Sequence, residues 1–586
     1  MRTIPLIQRI ALTAAVLFVC VTLVAGSRQS ALTEGVGKIV RPTDFETDVS
    51  ISEDVLAVVL GRLRQTFLAG VRTFDWSLAA EGLSDQFLGT FPEPLQGSIV
   101  DDDGLLIRQY VSSDLQWFGQ REFLSVISRH IESWTSVERS SWKVTDFFLE
   151  PTFDRAFLKG HLQLGGSDST GTRSVLDATI SVAAAVGPSG QWQLERFDFL
   201  EGIAVQSSLP PFRDITDAVG FHFNRSEENN ELRRDIVDTR SSLIDSGLSI
   251  VDWNRDGFWD VIATESMNQA VLFINNGKGG FTRGVLPFDD PRLIPSQVLF
   301  VDLDGDGLEE LVGNRVLYRD GRGSIGLYTR KAGKWLFLPN AFEFNNPLDT
   351  RRSDAQPMTV GDVNGDGLLD VVIAGYENDQ SKDPRTFNRV DARDGAETLL
   401  FINHGELRFE EESDARGIFG TRYTYVVGLF DFNADGDLDL FEGNDYGTNV
   451  LWDNQGDGTF RELDEHPLAG DSSNTMGLTI GDWDNSGRWS VYLSNMYSHA
   501  GQRVVNLAQS LGKEMQARLG LLAKGNQLFT QESTGKPWVE TAVERKINAA
   551  GWAWASLFVD LDNDGDKEIF VTNGNTSYRD SEAPDY

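Results

Sequence analysis

Two kinds of hydrophobic pattern divide the chain. In the stretch SEDVLAVVLGRLRQTFLAGVR, from about Ser50 to Arg72, apolar residues recur at helical spacing, and a second amphipathic stretch runs from about Ser113 to Thr135. Apolar and polar residues then alternate at Trp142–Phe148, Ala156–Leu164, Val175–Val186 and Trp192–Phe199, between Gly/Ser/Pro turns, which predicts strands. Helices followed by a meander predict a small α+β domain with a curved antiparallel sheet over residues 50–205. Its boundary is expected near Pro210 and Pro211.

Beyond that boundary, in a second domain placed at residues 206–586, the pattern repeats. Six cores read VDWNRDGFWDVIAT, VDLDGDGLEELVG, GDVNGDGLLDVVIAG, FDFNADGDLDLFEGN, GDWDNSGRWSVYLSN and VDLDNDGDKEIFVTN, with their first Asp at 252, 302, 362, 431, 482 and 560. A second element trails several cores: VLFINNGKGGF, LLFINHGELRF, VLWDNQGDGTF and, degraded, QLFTQESTGKPW. The spacing suits a four-stranded blade plus insertions, so the repeat predicts a mainly β, propeller-like array. The longest interval holds a helical stretch near Val504–Leu522, expected to be an insertion.

Each core carries side-chain oxygens at positions 1, 3, 5 and 9 of an acidic loop, with Gly at 6. Calcium takes six to eight hard oxygen ligands, and closely spaced Asp/Asn residues around a tight turn supply them, with the position 7 carbonyl adding one. The candidate ligands are Asp252, Asn254, Asp256, Phe258 and Asp260 in loop one, and Asp302, Asp304, Asp306, Leu308 and Glu310 in loop two. Loop three offers Asp362, Asn364, Asp366, Leu368 and Asp370; loop four offers Asp431, Asn433, Asp435, Asp437 and Asp439. Loop five has only Asp482, Asp484 and Ser486, with Ser490 at position 9, so weak or absent binding is expected there. Loop six has Asp560, Asp562, Asp564, Asp566 and Glu568. About five calcium sites follow. An EF-hand would need Glu at position 12 and flanking helices. Position 12 is Ala263, Gly313, Ile373, Glu442, Leu493 and Val571, and the flanks read as strands, so the loops are strand–calcium–strand hairpins.

Charge and cysteine usage narrow the setting. A net charge of −36 excludes a nucleic-acid partner, whose phosphates need a basic surface. Arg2 and Arg9 precede the apolar run Ile10–Ala25, then Gly26 and Ser27, which reads as a signal peptide over residues 1–27 ahead of a linker at 28–49. The alternative is an uncleaved anchor, the sole expected membrane link. Cys20, the only cysteine, lies inside that run, so the mature chain has no disulfide and bound metal is the expected staple. A secreted, periplasmic or envelope location is expected.

These repeats resemble the integrin-α-like FG-GAP (VCBS) β-propellers, and more closely the cartilage acidic protein/ASPIC–UnbV branch. The resemblance rests on FRDITDAVGFHFNRSEE, NTMGLTIGDWDNSG, LSNMYSHAGQR, KGNQLF and GWAWASLFVDLDNDGDKEIFVTNG. It implies a seven-bladed propeller, of which six cores are countable, and an adhesion or interaction role. It does not extend to the C-terminal ASPIC–UnbV segment. The element order of the first domain resembles the cone of nuclear transport factor-like domains. The strand near Phe212 is expected to pair with the final blade and close the ring.

No catalytic constellation assembles: the histidines (His130, His161, His222, His404, His466, His499) are scattered and no H-E-x-x-H, nucleophile elbow or phosphate loop occurs. His222 and His499 lie in family-like stretches and are expected to be surface or packing residues rather than to line one face. Trp552 and Trp554 read as core packing in preference to a sugar platform. Three functions remain: a calcium-stiffened propeller presenting loops to an extracellular protein or glycan, with calcium structural; a calcium-dependent polysaccharide lyase or related sugar enzyme; or a propeller scaffold for a ligand-binding or dimerising N-terminal domain.

Overall fold

The computed structural model describes residues 45–101, 105–113, 115–208, 213–224, 227, 246–265, 269–286, 297–315, 324–339, 341–343, 357–376, 392–463, 465–470, 473–507 and 512–573. The expected signal segment with Cys20, the Pro210–Pro211 boundary and Phe212 lie outside the described residues. The chain forms two compact units.

The first unit begins with α1 (Phe45–Leu63), which runs through a π-helical turn at Arg64–Leu68 into α2 (Ala69–Thr73). Helix α3 (Trp76–Glu81) starts where the Asp75 carboxylate accepts the Ser77 and Leu78 N–H groups. The amphipathic stretch expected over 113–135 is helical only in α4 (Gln120–His130); Trp117–Gly119 is a short strand, and Trp134 already opens the next one. The sheet contains β1 (Leu83–Thr90), β2 (Ser98–Asp101), β3 (Leu106–Val111), β4 (Trp117–Gly119), β5 (Trp134–Leu149), β6 (Arg155–Asp168), β7 (Arg173–Val186) and β8 (Trp192–Ser207), in the order β2-β3-β8-β7-β6-β5. Strand β1 pairs parallel to β8 and antiparallel to β4.

Alternation along β5–β8 buries one face against the helices. Register shifts in β5–β6 and β7–β8 bend the long strands, because an unpaired residue locally increases twist, and this gives the expected curvature. At one such bend a Cβ on Gly160 would lie 2.1 Å from the Lys143 carbonyl, so only glycine fits. The interior is filled by Phe67, Phe87, Phe91, Phe123, Phe197 and Phe199, with the Phe123 and Phe197 rings 4.9 Å apart.

Two sequence boundaries shift. Strand β8 runs on to Ser207, and the insertion, expected as part of the propeller domain, divides. It forms α5 (His499–Leu507) and α6 (Lys513–Leu521), and residues 499–516 belong to the first unit. There the Arg503 guanidinium, 8% exposed, pairs with both Glu53 oxygens at 3.0 and 2.7 Å and donates to the Val144 carbonyl at 2.7 Å.

The second unit is a series of antiparallel blades. Blade 1 consists of Ser246–Val251, Asp260–Glu265, Gln269–Asn275 and Phe281–Arg283. Blade 2 consists of Gln297–Val301, Glu310–Arg315, Ser324–Lys331 and Lys334–Leu338. Blade 3 consists of Met358–Gly361, Asp370–Ala374, Ala396–Asn403 and Phe409–Glu411. Blade 4 consists of Thr421–Phe430, Asp439–Asp445, Val450–Asn454 and Phe460–Glu462. Blade 5 consists of Gly477–Gly481, Ser490–Ser494, Gln527–Gln531 and Trp538–Glu540. In blade 6, two strands fall among the described residues, Ala553–Val559 and Glu568–Asn573. The described residues contain no seventh blade.

Second strands sit between neighbours on both faces, which is why Asp370–Ala374 and Ser490–Ser494 are buried throughout and read as short, nearly continuous apolar runs. Shared cores join the blades: Val312 and Leu327 with Val371 and Phe401; Val372 and Leu400 with Leu440 and Trp452; Phe441 and Leu451 with Val491 and Phe529. The segment after Phe212 packs on blade 1, where Phe221 stacks on Phe273 at 4.3 Å.

Candidate cation-binding loops

Each acidic loop links the first and second strands of a blade, so the strand flanks expected in place of EF-hand helices are present. The turn is the same in all six. Position 4 adopts positive φ whatever its residue: Arg255 (61°), Gly305 (72°), Gly365 (73°), Ala434 (64°), Asn485 (55°) and Asn563 (63°). Position 6 is always a glycine with positive φ, from 77° at Gly487 to 100° at Gly436, a region a Cβ disfavours. The position 1 carboxylate braces the turn by accepting the position 6 N–H. The distances are 2.9 Å for Gly257–Asp252 and Gly307–Asp302, 2.8 Å for Gly367–Asp362 and Gly487–Asp482, and 3.0 Å for Gly436–Asp431 and Gly565–Asp560.

This brace gathers oxygens. One ligand oxygen from each of Asp302, Asp304 and Asp306 lies within 4.8 Å of the others, and the same holds for Asp560, Asp562 and Asp564. In loops one, three and four the third-position asparagine Oδ1 accepts the position 5 N–H, as Asn254 does from Asp256 at 3.0 Å. Position 5 in turn accepts the N–H of Phe258, Leu308, Leu368, Asp437 and Asp566.

The ninth residue has a second task that its spacing did not reveal. Asp260, Glu310, Asp370 and Asp439 are fully buried, and each clasps the loop to the third strand. Asp370 accepts the Val363 N–H at 3.0 Å and the Asn403 N–H at 2.8 Å; Asp439 accepts those of Phe432 (3.1 Å) and Asn454 (2.8 Å). Burial, above all, pushes Asp370 up to about 6 and Asp439 up to about 7, with a smaller push from neighbouring loop carboxylates. Glu310 is raised for the same reasons. Asp302 Oδ1 is buried with no hydrogen-bond partner. An all-oxygen donor set, crowded negative charge and an orphaned buried carboxylate oxygen together fit a hard divalent cation.

Loop five differs in charge rather than in backbone. Lys567, from loop six, places its ammonium 2.6 Å from the Asp482 carbonyl and 3.4 Å from Asn485 Oδ1. Bonds from the Gly487 and Ser486 N–H groups, helped by Lys567, hold the Asp482 carboxyl below its usual range. A fixed cation therefore stands beside the loop with the fewest carboxylates.

The other residues singled out in the sequence separate. His222 is exposed beside Asp217 in the second unit, and His499 lies half-buried in the first, 5.4 Å from the His161 ring. The expectation of core packing for both tryptophans is corrected: Trp552 is 37% and Trp554 36% exposed, and Ala553 between them takes the buried position. A Cβ on Gly477 would lie 2.8 Å from the Trp554 carbonyl and 3.1 Å from Ala555 Cα, so the first strands of blades 5 and 6 run close together there. Motif asparagines prove structural. Asn495 of LSNMYSHAGQR donates its N–H to Asn526 Oδ1 of KGNQLF at 2.8 Å, and in blade 4 Asn444 does the same to Asn449 at 2.9 Å. Periodicity does not mark a tyrosine cluster just past the blade 3 second strand, against the first strand of blade 4. There Tyr376 stacks on Tyr425 at 4.4 Å and donates to Asp445 at 2.8 Å.

Blades of antiparallel strands, each entered through one acidic turn and packed face to face, define a β-propeller of repeated blades. The family model of the FG-GAP-like repeat matches residues 252–313 and 431–493. The chain is similar to cartilage acidic protein 1 of Xenopus tropicalis, at 23% identity over 395 residues, covering 63% of this chain and 52% of that protein. It thus spans about half the length of that relative. Among solved structures, a conserved protein from Planctomyces limnophilus matches 26% of this chain and 97% of its own (18% identity, TM-score 0.19). A triple arginine-to-alanine mutant of AofleA from Arthrobotrys oligospora matches 64% of this chain and 95% of its own (10% identity, TM-score 0.24). No helix among the described residues is long and apolar enough to cross a membrane.

Proposed function

We propose that the chain is a secreted or envelope-associated calcium-binding propeller that serves as an adhesion or interaction module for an extracellular protein or glycan, with calcium in a structural role. The observation that carries this reading is the shared turn: six loops with one backbone, each aiming side-chain oxygens into a single bend between strands. Positions 1, 3 and 5, with the position 7 carbonyl, would hold the ion in loops one to four and six. Bound calcium would neutralise carboxylates that otherwise repel, stiffening the hairpins that set the blade edges.

The similarity to cartilage acidic protein 1 supports an interaction role, and the charged-then-apolar N-terminal sequence supports export.

The test is capture of the full chain on glycan arrays and on a panel of extracellular proteins, in calcium and in chelator. Saturable binding that disappears with chelator is expected. Degradation of a uronate polysaccharide by the calcium-loaded chain would replace this reading with the lyase.

A further inference from the structure

Outside the acidic loops, one hairpin carries residues that the blade does not need. In blade 3 the turn between the third and fourth strands closes with the His404 N–H donating to the Arg408 carbonyl at 2.9 Å. The same bond closes blade 1 (Asn276 to Gly280) and blade 4 (Gln455 to Thr459), also at 2.9 Å, so the three hairpins share one geometry. At the positions of His404, Glu410 and Glu412, blade 1 has Asn276, Thr282 and Gly284, and blade 4 has Gln455, Arg461 and Leu463. The fold is therefore built without an imidazole or carboxylates there.

Strand register places the three on one face, since Ile402 pairs with Glu410 and side chains alternate along each strand. His404 Nε2 lies 3.1 Å from Glu412 Oε1 and 3.7 Å from Glu410 Oε2, and the three ligand atoms fall within 4.8 Å of one another. Nitrogen and oxygen donors bound at about 2.0–2.2 Å to one tetrahedral zinc stand about 3.3–3.5 Å apart. The observed separations bracket that value. Arg416 Nε binds the other Glu412 oxygen at 2.8 Å, which orients the carboxylate and leaves Oε1 turned to His404. That is the outer-shell arrangement by which ligating carboxylates are commonly held.

We infer that His404, Glu410 and Glu412 form a surface site for a borderline divalent transition metal such as zinc, distinct in chemistry from the oxygen-only loops. The imidazole selects against calcium and magnesium, which take oxygen donors. Three protein ligands leave a fourth position for water or for a donor from a bound partner.

The test is a zinc titration of the full chain in saturating calcium, by calorimetry and metal counting, for wild type, His404→Ala and Glu410→Gln. His404 and Glu410 are both exposed, and melts in calcium check that each variant is folded. Loss of one zinc per chain, or at least a tenfold weaker zinc affinity, in both variants is expected. Equal zinc stoichiometry and affinity in all three proteins would overturn the site and leave the trio as an ion pair only.

Discussion

The Asn403 side-chain amide donates to the Leu303 carbonyl at 2.9 Å, pinning the third strand of blade 3 to the acidic loop of blade 2. The relationship recurs with different donors. Arg330 reaches the Trp253 carbonyl (2.7 Å), Asn454 that of Val363 (2.8 Å) and Trp538 Nε1 that of Phe432 (3.2 Å). The acceptor is always the second residue of the preceding loop. Blades 2 to 5 thus each hold the acidic loop of the preceding blade.

Removing one staple should therefore cost more than a surface change. Asn454→Ala leaves the buried Val363 carbonyl and the partly buried Leu438 carbonyl without their donor, and leaves the Gly456 and Gly458 N–H groups without the Oδ1 that accepts from them. A loss of about 1–3 kcal/mol is expected in urea unfolding. A midpoint equal to wild type would show that the staple carries no stability.

Glycine at position 6 should be irreplaceable for conformational reasons alone. Gly436 has φ of 100° and open space where a Cβ would stand, so Gly436→Ala tests strain without a clash. A cost of about 1–2 kcal/mol is expected by chemical denaturation. No change would mean that the turn relaxes freely to negative φ.

Arg503 and Glu53 hold α5 within the first unit, and removing one partner strands the other in a largely buried position. Arg503→Met is expected to destabilise that unit by about 3 kcal/mol, while the double change with Glu53→Gln recovers part of the loss. Strictly additive effects in the double-mutant cycle would argue against direct coupling.

Acid should loosen the first unit through two histidines. Burial pushes the His130 imidazole, whose Nε2 lies 2.8 Å from the Pro92 carbonyl, below its ordinary value. Burial, then the nearby His161, Lys143 and Arg503, pushes His499 down to about 4. Both folded values lie below the unfolded value of about 6.5. Their stabilising contribution is therefore complete above about pH 6.5 and is lost as pH falls through the folded values. Protection factors of the β5–β7 amides, taken relative to the intrinsic exchange rate at each pH, should fall over this window, and His499→Gln should flatten the dependence. An identical profile in that variant would show that His499 does not contribute to the acid response.

How far the sequence could be read depended on how local each signal was. The loops were legible because Asp and Gly at fixed offsets dictate one turn, and β5–β8 because alternation marks a sheet with one buried face. Strands β1–β3 escaped notice because they are short, and Leu88, Ile99, Val100 and Val111 leave apolar side chains in solvent, which blurs the alternation. Position 9 looked like one more ligand; its role as a clasp depends on third-strand N–H groups up to 33 residues away, as for Asp370 and Asn403. Trp552 and Trp554 read as core because large apolar side chains usually are buried, but the inward position of this alternation falls to Ala553. That α5 joins the first unit rests on Arg503 meeting Glu53, 450 residues away, which no local pattern encodes.

On the proposed function, calcium in the acidic loops holds the blades together. The most direct measurement is a thermal melt of the full chain in calcium and in chelator, with the bound metal counted. About five calcium ions per chain and a melting temperature that falls markedly on chelation are expected. No bound calcium and superimposable melts would contradict this role of calcium.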